Sequence, residues 1–131
     1  MYFKSNKSVK TIFRIIGRAK EIIIRGGENI QPLEVETFIE TLSPIKKCYV
    51  IGVPSKRFGE EVAVYIKVKS GEFLSEDKVL NHCLDGLARF KHPKYIKFVA
   101  EFPEFSTGKI KKTELKALAM IHFPELLNEL E

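Results

Sequence analysis

A lysine that follows a glycine in a short polar run is the feature of this sequence best suited to chemistry. Lys109 comes directly after Ser106, Thr107 and Gly108, and further lysines lie close behind it. The glycine leaves room beside it, so the Lys109 ammonium can reach an anion as a point charge. The run is not a phosphate-cradling P-loop, because it lacks that motif's first glycine and the Ser or Thr that follows its lysine. These residues alone leave three interpretations open: an anion site, a catalytic loop or a solvated surface.

Two other stretches combine backbone freedom or an aromatic ring with positive charge. Gly26 and Gly27 end an apolar strand pattern. They allow positive φ and let another molecule approach the main chain closely, although an ordinary turn needs the same residues. Residues 89–94, RFKHPK, set Phe90 among cations. This stretch is either part of a binding surface or a basic loop whose aromatic ring lies in the core.

Composition limits the classes of protein to which the chain can belong. It has 131 residues, of which 44% are apolar and 30% are charged, as expected for one globular domain with a single core. Its apolar runs are far shorter than the ~20 residues that cross a bilayer. The 22 basic and 17 acidic residues give a formal net charge of +5. That charge suits an anionic ligand, but it is equally expected of a solvated surface.

The cysteines and the start of the chain predict the compartment. Cys48 lies in an apolar strand pattern and Cys83 on a predicted helix face, with no CxxC pair and no clustered histidines. This usage predicts a reducing compartment and no metal site. Residues 1–11 are polar and Lys-rich, and the apolar stretch behind them is short and has no small-residue cleavage site. We therefore expect a disordered or non-native terminus, no secretory signal and a cytoplasmic location.

Hydrophobic periodicity predicts alternating groups of strands and helices. Strands are predicted at 11–16, 20–25, 47–54, 58–71 and 94–103, and helices at 31–43, after Ser75, at 111–121 and, as a short one, at 124–131. Pro32 suits a first helical position, and Ser75 suits an N-cap. This order predicts an α+β fold in which helices pack on a small mixed sheet.

The same periodicity predicts which side chains form the core. The strand at 58–71 alternates, with Val62, Val64, Ile66 and Val68 on one face. The apolar stripe of the helix after Ser75 is predicted to contain Val79, Leu80, Cys83, Leu84 and Leu87, and that of the helix at 31–43 to contain Leu33, Phe38, Ile39 and Leu42. Five side chains are expected to be buried: Val64, Ile66, Leu80, Leu84 and Phe98.

Four stretches, taken together, carry a resemblance to a known family. They are GRAKEIIIRGGENIQPLEVE (17–36), GVPSKRFGEEVAVYIKVKSG (52–71), LARFKHPKYIKFV (87–99) and FPEFSTGKIKK (102–112). In order and spacing they resemble the C-terminal domain of the AMP-forming acyl-CoA synthetases, within the larger family of acyl- and aryl-adenylating enzymes. The first resembles the motif that opens this small domain, and the last resembles the motif that closes it. Within that family, the sequence is most similar to the medium- and long-chain fatty acyl-CoA ligases. The domain is expected over residues 12–131.

The resemblance implies a reaction in two halves and a role for Lys109. In this family a carboxylate first attacks the α-phosphate of ATP, giving acyl-adenylate and pyrophosphate, and the thiol of CoA then displaces AMP. Lys109 falls on the family's catalytic lysine, which bridges carboxylate and phosphate oxygens during adenylation. An aimed cation stabilises the charge that builds up where two anions meet.

Three further positions near the start of the domain carry over from the resemblance. Arg18 matches the arginine that contacts the ribose and phosphates of the nucleotide. Lys20 matches the hinge, at which rotation swings the domain between its two working poses. Gly27 matches the glycine that lines the pantetheine tunnel in the thioester-forming pose, where a side chain would obstruct the thiol.

The resemblance also implies an outer site for the nucleotide part of CoA. Phe58 and Phe90 match aromatic positions near the CoA adenine, and Lys94 matches a basic position near its phosphates. His92 stands where some relatives have arginine.

The resemblance implies that this chain supplies only one wall of an active site. The family's large N-terminal domain carries the phosphate loop, the acidic residue for the ribose and the acyl pocket, and it is expected to be the partner of this chain. The substrates implied are a carboxylic acid, ATP with Mg²⁺, and CoA, none of them held tightly by this chain. The alternative from another class is a stand-alone basic module that binds a polyanion; interleaved charges and core-periodic aromatics argue against a nucleic-acid site.

Overall fold

Within the described residues, the fold is a five-stranded sheet with helices on both faces. The computed structural model describes residues 21–103 and 112–130. The strands are β1 (Ile23–Arg25), β2 (Glu28–Ile30), β3 (Ile45–Ser55), β4 (Gly59–Val68) and β5 (Tyr95–Phe98), and the helices are α1 (Pro32–Ile39), α2 (Glu76–Gly86) and α3 (Lys112–His122). Short 3₁₀ segments lie at Arg89–Lys91 and at Pro124–Glu129.

The sheet is built around β4. It has the order β2-β1-β4-β3, and β5 pairs with β4 as well. β3 and β4 form a long antiparallel hairpin from Ile45↔Val68 to Ser55↔Gly59. β1 meets the beginning of β4 at Arg25↔Gly59, whereas β5 runs parallel to β4 from Ala63↔Tyr95 onward. The sheet is therefore mixed, and the predicted α+β class is confirmed.

A glycine turn joins β1 to β2. Gly26 and Gly27 both have positive φ, at 57° and 88°, which a two-residue hairpin turn with the right twist requires. The sequence predicted the turn but not the strand after it, because three residues are too short to show an alternating pattern.

One face of the sheet packs against α1 and α2. The core on this side contains Ile23, Ile30, Val35, Ile39, Ile45, Cys48, Val50, Val62, Val64, Ile66, Leu74, Val79, Cys83 and Ile96. In α1, Pro32 is the first helical residue as predicted, and Val35 and Ile39 are fully buried. The prediction for Leu33 is wrong: it is 52% exposed, because the buried side of the helix is defined by Val35 and Ile39 instead.

The buried stripe of α2 is narrower than the sequence predicted. Ser75 caps the helix as expected, its Oγ accepting from the Lys78 N–H at 3.2 Å, and Val79 and Cys83 are buried. The predicted burial of Leu80 and Leu84 is wrong, since they are 36% and 61% exposed. Each follows a buried residue by one position, which turns it about 100° around the helix and off the sheet.

Phe98 is also less buried than predicted. Val64 and Ile66 are fully buried, as expected. Phe98 is partly buried against the same core. It ends β5, which pairs with β4 on one side only among the described strands, so the sheet covers the ring incompletely.

The other face of the sheet packs against α3 and the C-terminal 3₁₀ segment. Its core contains Ile51, Val53, Ala63, Tyr65, Tyr95, Leu115, Ala119, Phe123 and Leu126. β4 is consequently buried on both faces, not on the single alternating face that the sequence predicted. A strand between two helical layers reads as a nearly continuous apolar run, as residues 62–66 do. No described helix is long and apolar enough to cross a membrane.

Candidate functional site

The candidate site residues fall into two groups with respect to the structure. The predictions for Arg18, Lys20 and Lys109 lie outside the described residues. The other candidates can be located, and they are Gly27, Phe58, Phe90 and Lys94.

The hairpin turn at Gly27 lies against Phe58. The Gly26 N–H donates to the Phe58 carbonyl at 2.8 Å, and a Cβ on Gly26 would lie 3.1 Å from the Phe58 ring. Gly27 itself is exposed, and a Cβ there would meet nothing within 4 Å. The structure thus places the turn that contains Gly27 next to Phe58, through Gly26, and leaves open space beside the backbone of Gly27.

Arg25 stacks on Phe58 and is held by a buried carboxylate. Its Nε donates to Glu61 Oε1 at 2.6 Å, and the Glu61 side chain is only 5% exposed. The Arg25 guanidinium carbon lies 3.8 Å from the centre of the Phe58 ring, and that of Arg57 lies 4.9 Å from it. Such guanidinium–ring contacts are attractive because the face of the ring is negative. The result is an aromatic ring with two cations at the end of the sheet.

Arg25 and Glu61 are not among the site residues predicted from the sequence. The two residues are 36 positions apart, and their contact depends on how β1 lies beside β4. The sequence does contain one signal for Glu61. Its carboxylate lies next to the apolar run of β4, and burying a carboxylate costs free energy unless it is paired with a cation.

Lys94 lies on the same edge of β4 as this cluster. Its backbone N–H donates to the Val62 carbonyl at 2.9 Å, and Val62 is next to Glu61 in the strand. The Lys94 side chain is exposed, and its ammonium lies 5.7 Å from the Tyr95 ring. It is therefore free to reach solvent-side groups from the edge of the sheet.

Phe90 contributes to the packing of the core, unlike Phe58 and Lys94. It is partly buried and packs against the core under α1 and α2. Its neighbour Lys91 binds both carboxylate oxygens of Glu34 at 2.8 Å. His92 Nε2 lies 2.8 Å from the Leu87 carbonyl. The interpretation of residues 89–94 as a basic loop with its aromatic ring against the core agrees with these contacts.

A second cluster that the sequence analysis missed lies where α3 begins. Lys112 Nζ donates to Glu36 Oε2 at 2.9 Å and to the Val50 carbonyl at 3.2 Å, and it lies 3.5 Å from Glu21 Oε1. Glu36 Oε2 also accepts from the Val50 N–H at 2.8 Å. The side chains of Lys112 and Glu36 are only 17% and 8% exposed. This cluster ties the start of α3 to α1, to β3 and to the first described residue.

The thiols and the metal-binding residue types offer no alternative chemistry in the described residues. Burial raises the pKa of the Cys48 thiol above its ordinary range, with further contributions from Glu40 and Glu36. Burial raises the pKa of Cys83 to about 11, so both thiols stay protonated near neutral pH. Within residues 21–103 and 112–130, no group of three His, Cys, Asp or Glu side chains could hold a metal ion. What these residues do offer is cations, an aromatic ring and an open backbone turn for binding.

Comparison with known proteins connects this chain with one enzyme family. The sequence model of the AMP-binding enzyme C-terminal domain matches residues 34–109. The chain is 43% identical over 103 residues to the putative acyl-CoA synthetase YngI of Bacillus subtilis, and 43% identical over 103 residues to the mitochondrial medium-chain acyl-CoA ligase ACSF2 of Rattus norvegicus. These alignments cover 79% of this chain but only 19% and 17% of the two relatives.

One part of a solved structure has the same fold as this chain. ATP-bound MatB from Rhodopseudomonas palustris superposes with a TM-score of 0.76 at 35% sequence identity, over 79% of this chain and 20% of that one. This chain thus spans about a fifth of the length of the proteins it matches. Its described sheet and helices correspond to one small part of a much larger fold.

Proposed function

The chain belongs to the AMP-binding enzyme C-terminal domain family, and on that premise we propose that it is the mobile C-terminal domain of an acyl-CoA ligase. The observation that carries this proposal is the family match over residues 34–109, which extends to Lys109 itself. We propose a fatty acid of medium or long chain as the substrate class, and the name of one relative, a medium-chain acyl-CoA ligase, supports the medium-chain alternative. The large N-terminal domain of the same enzyme is the proposed partner.

In the first half-reaction, Lys109 supplies the cation between two anions. An oxygen of the carboxylate attacks the α-phosphorus of ATP. The new oxygen–phosphorus bond forms as the bond to the β-phosphate bridge breaks, and pyrophosphate leaves. The Lys109 ammonium stabilises the negative charge that develops on the phosphate oxygens. Arg18 contacts the nucleotide in this pose. Mg²⁺ accompanies ATP, and its ligands are proposed to come from the partner domain.

In the second half-reaction, rotation at Lys20 presents Gly27 to the thiol of CoA. The sulfur attacks the acyl carbon, the thiol proton passes to water, and the bond from that carbon to the AMP oxygen breaks, so that AMP leaves. The exposed turn and the open space at Gly27 support a close approach of the pantetheine arm to the backbone. A side chain at this position would stand in that path.

The CoA nucleotide is proposed to lie over the Phe58 edge of the domain. The ring of Phe58 offers a stacking surface, and Arg57 and Arg25 lie beside it. Lys94 adds an exposed cation on the same strand edge. Phe90 is a weaker member of this set, because its ring already packs against the core.

A polyanion-binding module is the less supported function. Three of the cations that such a module would need are engaged by carboxylates, in the pairs Arg25–Glu61, Lys91–Glu34 and Lys112–Glu36. Binding to an oligonucleotide that falls steeply with salt would favour that module instead.

Cytoplasmic localisation stays a prediction from the sequence.

The test of the proposed function is a chimeric enzyme. Residues 12–131 of this chain replace the matching part of the medium-chain acyl-CoA ligase of Rattus norvegicus, and carboxylate-dependent ATP–pyrophosphate exchange is measured. The chimera should exchange, whereas the same large domain without this chain should not. Lys109→Ala should abolish exchange but still convert pre-formed acyl-adenylate and CoA to thioester. A folded chimera that restores neither half-reaction would contradict the proposal.

A further inference from the structure

Lys112 is a partly buried lysine that the proposed chemistry does not use. Its ammonium touches Glu36, the Val50 carbonyl and Glu21, although only 17% of its side chain is exposed. Lysine is rarely buried unless it is paired, because removing an ammonium from water is costly. The structure offsets this cost with a nearly buried carboxylate and a backbone carbonyl.

The position of Lys112 in the chain gives this contact its significance. Lys112 is the first residue of α3, and Lys109 lies three positions before it. Three residues span at most about 11 Å, so fixing Lys112 limits where the Lys109 ammonium can be placed. Glu21 directly follows Lys20, so the same ammonium contacts the chain next to the proposed hinge.

Glu36 is the fixed end of this contact. One oxygen, Oε2, accepts from both the Lys112 ammonium and the Val50 N–H, at 2.9 Å and 2.8 Å. Glu36 belongs to α1, and its carboxylate is hydrogen-bonded to the backbone of β3, so it joins the two elements. The residue three positions after Lys109 is therefore anchored to two elements of the core.

We propose that Lys112, held by Glu36, is a positioning residue for the adenylation half-reaction: it anchors the chain to α1 and β3 three residues after Lys109. This rests on the proposed function. Lys112 contacts no substrate in this account, and it acts only through the placement of Lys109. Misplacing a catalytic group by about 1 Å can cost on the order of 10²-fold in rate.

The test uses the chimeric enzyme and measures each half-reaction separately. Lys112→Met should lower kcat for ATP–pyrophosphate exchange by on the order of 10²-fold with little change in KM for ATP. It should leave the conversion of pre-formed acyl-adenylate to thioester near the unchanged rate. Lys112→Arg keeps the charge and a donor for Glu36, so it should recover most of the exchange. The matched control is Lys116→Met, an exposed lysine on the same helix, which should change neither half.

Further variants separate positioning from simple stabilisation. Glu36→Gln should lower exchange in the same selective way. The double variant with Lys112→Met should lose little more exchange than either single variant, because both substitutions remove the same interaction. If Lys112→Met does not fold, Glu21→Gln and Lys112→Arg carry the test. Glu21 is the more exposed partner, at 33%, and its change should give a smaller loss confined to exchange.

Two results would overturn the inference. One is a loss of both half-reactions in proportion to the folded fraction in melting curves, which would make Lys112 a stabilising residue only. The other is unchanged exchange in folded Lys112→Met. Lys109→Ala run in parallel distinguishes this failure from that of the proposed function, since exchange that survives Lys109→Ala contradicts the catalytic assignment whatever Lys112 does.

Discussion

Arg25 and Glu61 form a partly buried ion pair in which the arginine side chain also covers an aromatic ring. Nε of Arg25 donates to Oε1 of Glu61 at 2.6 Å, with the two side chains 23% and 5% exposed, and the guanidinium lies 3.8 Å from the centre of the Phe58 ring. The pair joins β1 to β4 at the end of the sheet where the open glycine turn lies. It therefore serves both the stability of this end and the shape of the proposed CoA surface.

Removing the arginine should destabilise the domain measurably. In Arg25→Met the Glu61 carboxylate stays buried without its cation, which should lower the free energy of unfolding by about 1–3 kcal/mol. The control is Lys67→Met, because the Lys67–Glu101 pair is exposed on the glutamate side, at 81%, and such pairs contribute about 1 kcal/mol or less. Urea unfolding of the isolated chain measures both. Equal effects of the two substitutions would show that the Arg25 contact is not buried in solution.

Two leucines on different helices test the observed helix faces. Leu115 on α3 is 1% exposed, whereas Leu84 on α2 is 61% exposed. Leu115→Ala should lower the free energy of unfolding by about 2–5 kcal/mol because it leaves a cavity, and Leu84→Ala should stay within about 0.5 kcal/mol. A large loss for Leu84→Ala, measured in the isolated chain, would mean that α2 packs through the face the sequence predicted.

Gly27 should matter for thioester formation and not for adenylation. Gly27→Leu places a side chain in the proposed path of the thiol, so the chimeric enzyme should keep ATP–pyrophosphate exchange and lose thioester formation. The matched control is Gly71→Leu, since Gly71 also has positive φ, at 79°, with nothing within 4 Å of a Cβ. Both variants carry the same backbone strain, of order 1–3 kcal/mol. Equal damage to thioester formation in the two would assign the effect to strain.

The domain alone should not catalyse adenylation. The proposed acyl pocket and phosphate loop belong to the partner domain, so the purified chain should fold but show no carboxylate-dependent ATP–pyrophosphate exchange. Circular dichroism verifies folding in the same preparation. The Lys109→Ala variant of the isolated chain serves as the check for contaminating ligase. If the isolated chain shows exchange and this variant shows it as well, the activity comes from contamination. Exchange lost in that variant would contradict the need for a partner.

Tyr65 should make the fold sensitive to alkaline pH. Its hydroxyl lies 2.8 Å from His122 Nδ1, and burial raises the pKa of Tyr65 from 10.0 to about 12. Between these values the unfolded chain has lost the phenol proton and the folded chain still holds it. The unfolded state then binds fewer protons, so stability falls as the pH rises through this window.

The comparison with Tyr65→Phe isolates that contribution. Unfolding free energies measured in urea should decline from pH 10 to pH 12 more steeply in the unchanged chain than in Tyr65→Phe, which has no proton to lose. Identical slopes would show that the phenol titrates at its ordinary pKa in the folded protein.

Much of the fold followed from local features of the sequence. The strands at 47–54 and 58–71, the helix begun by Pro32 and the helix capped by Ser75 all lie where their patterns predicted. Periodicity and capping act between residues a few positions apart, so a single sequence carries them in full. The motifs that resemble the family are equally local, which is why the sequence alone indicates the family.

Only the tertiary structure decided the two ion-pair clusters, Lys112 with Glu36 and Arg25 with Glu61. Lys112 meets Glu36 across 76 positions and Arg25 meets Glu61 across 36, and both contacts depend on the packing of helices and strands that are distant in sequence. The same holds for the buried face of α2, where Val79 and Cys83 are covered but Leu80 and Leu84 are not. An apolar pattern states which side chains can be buried, and the arrangement of the neighbouring layers determines which of them are.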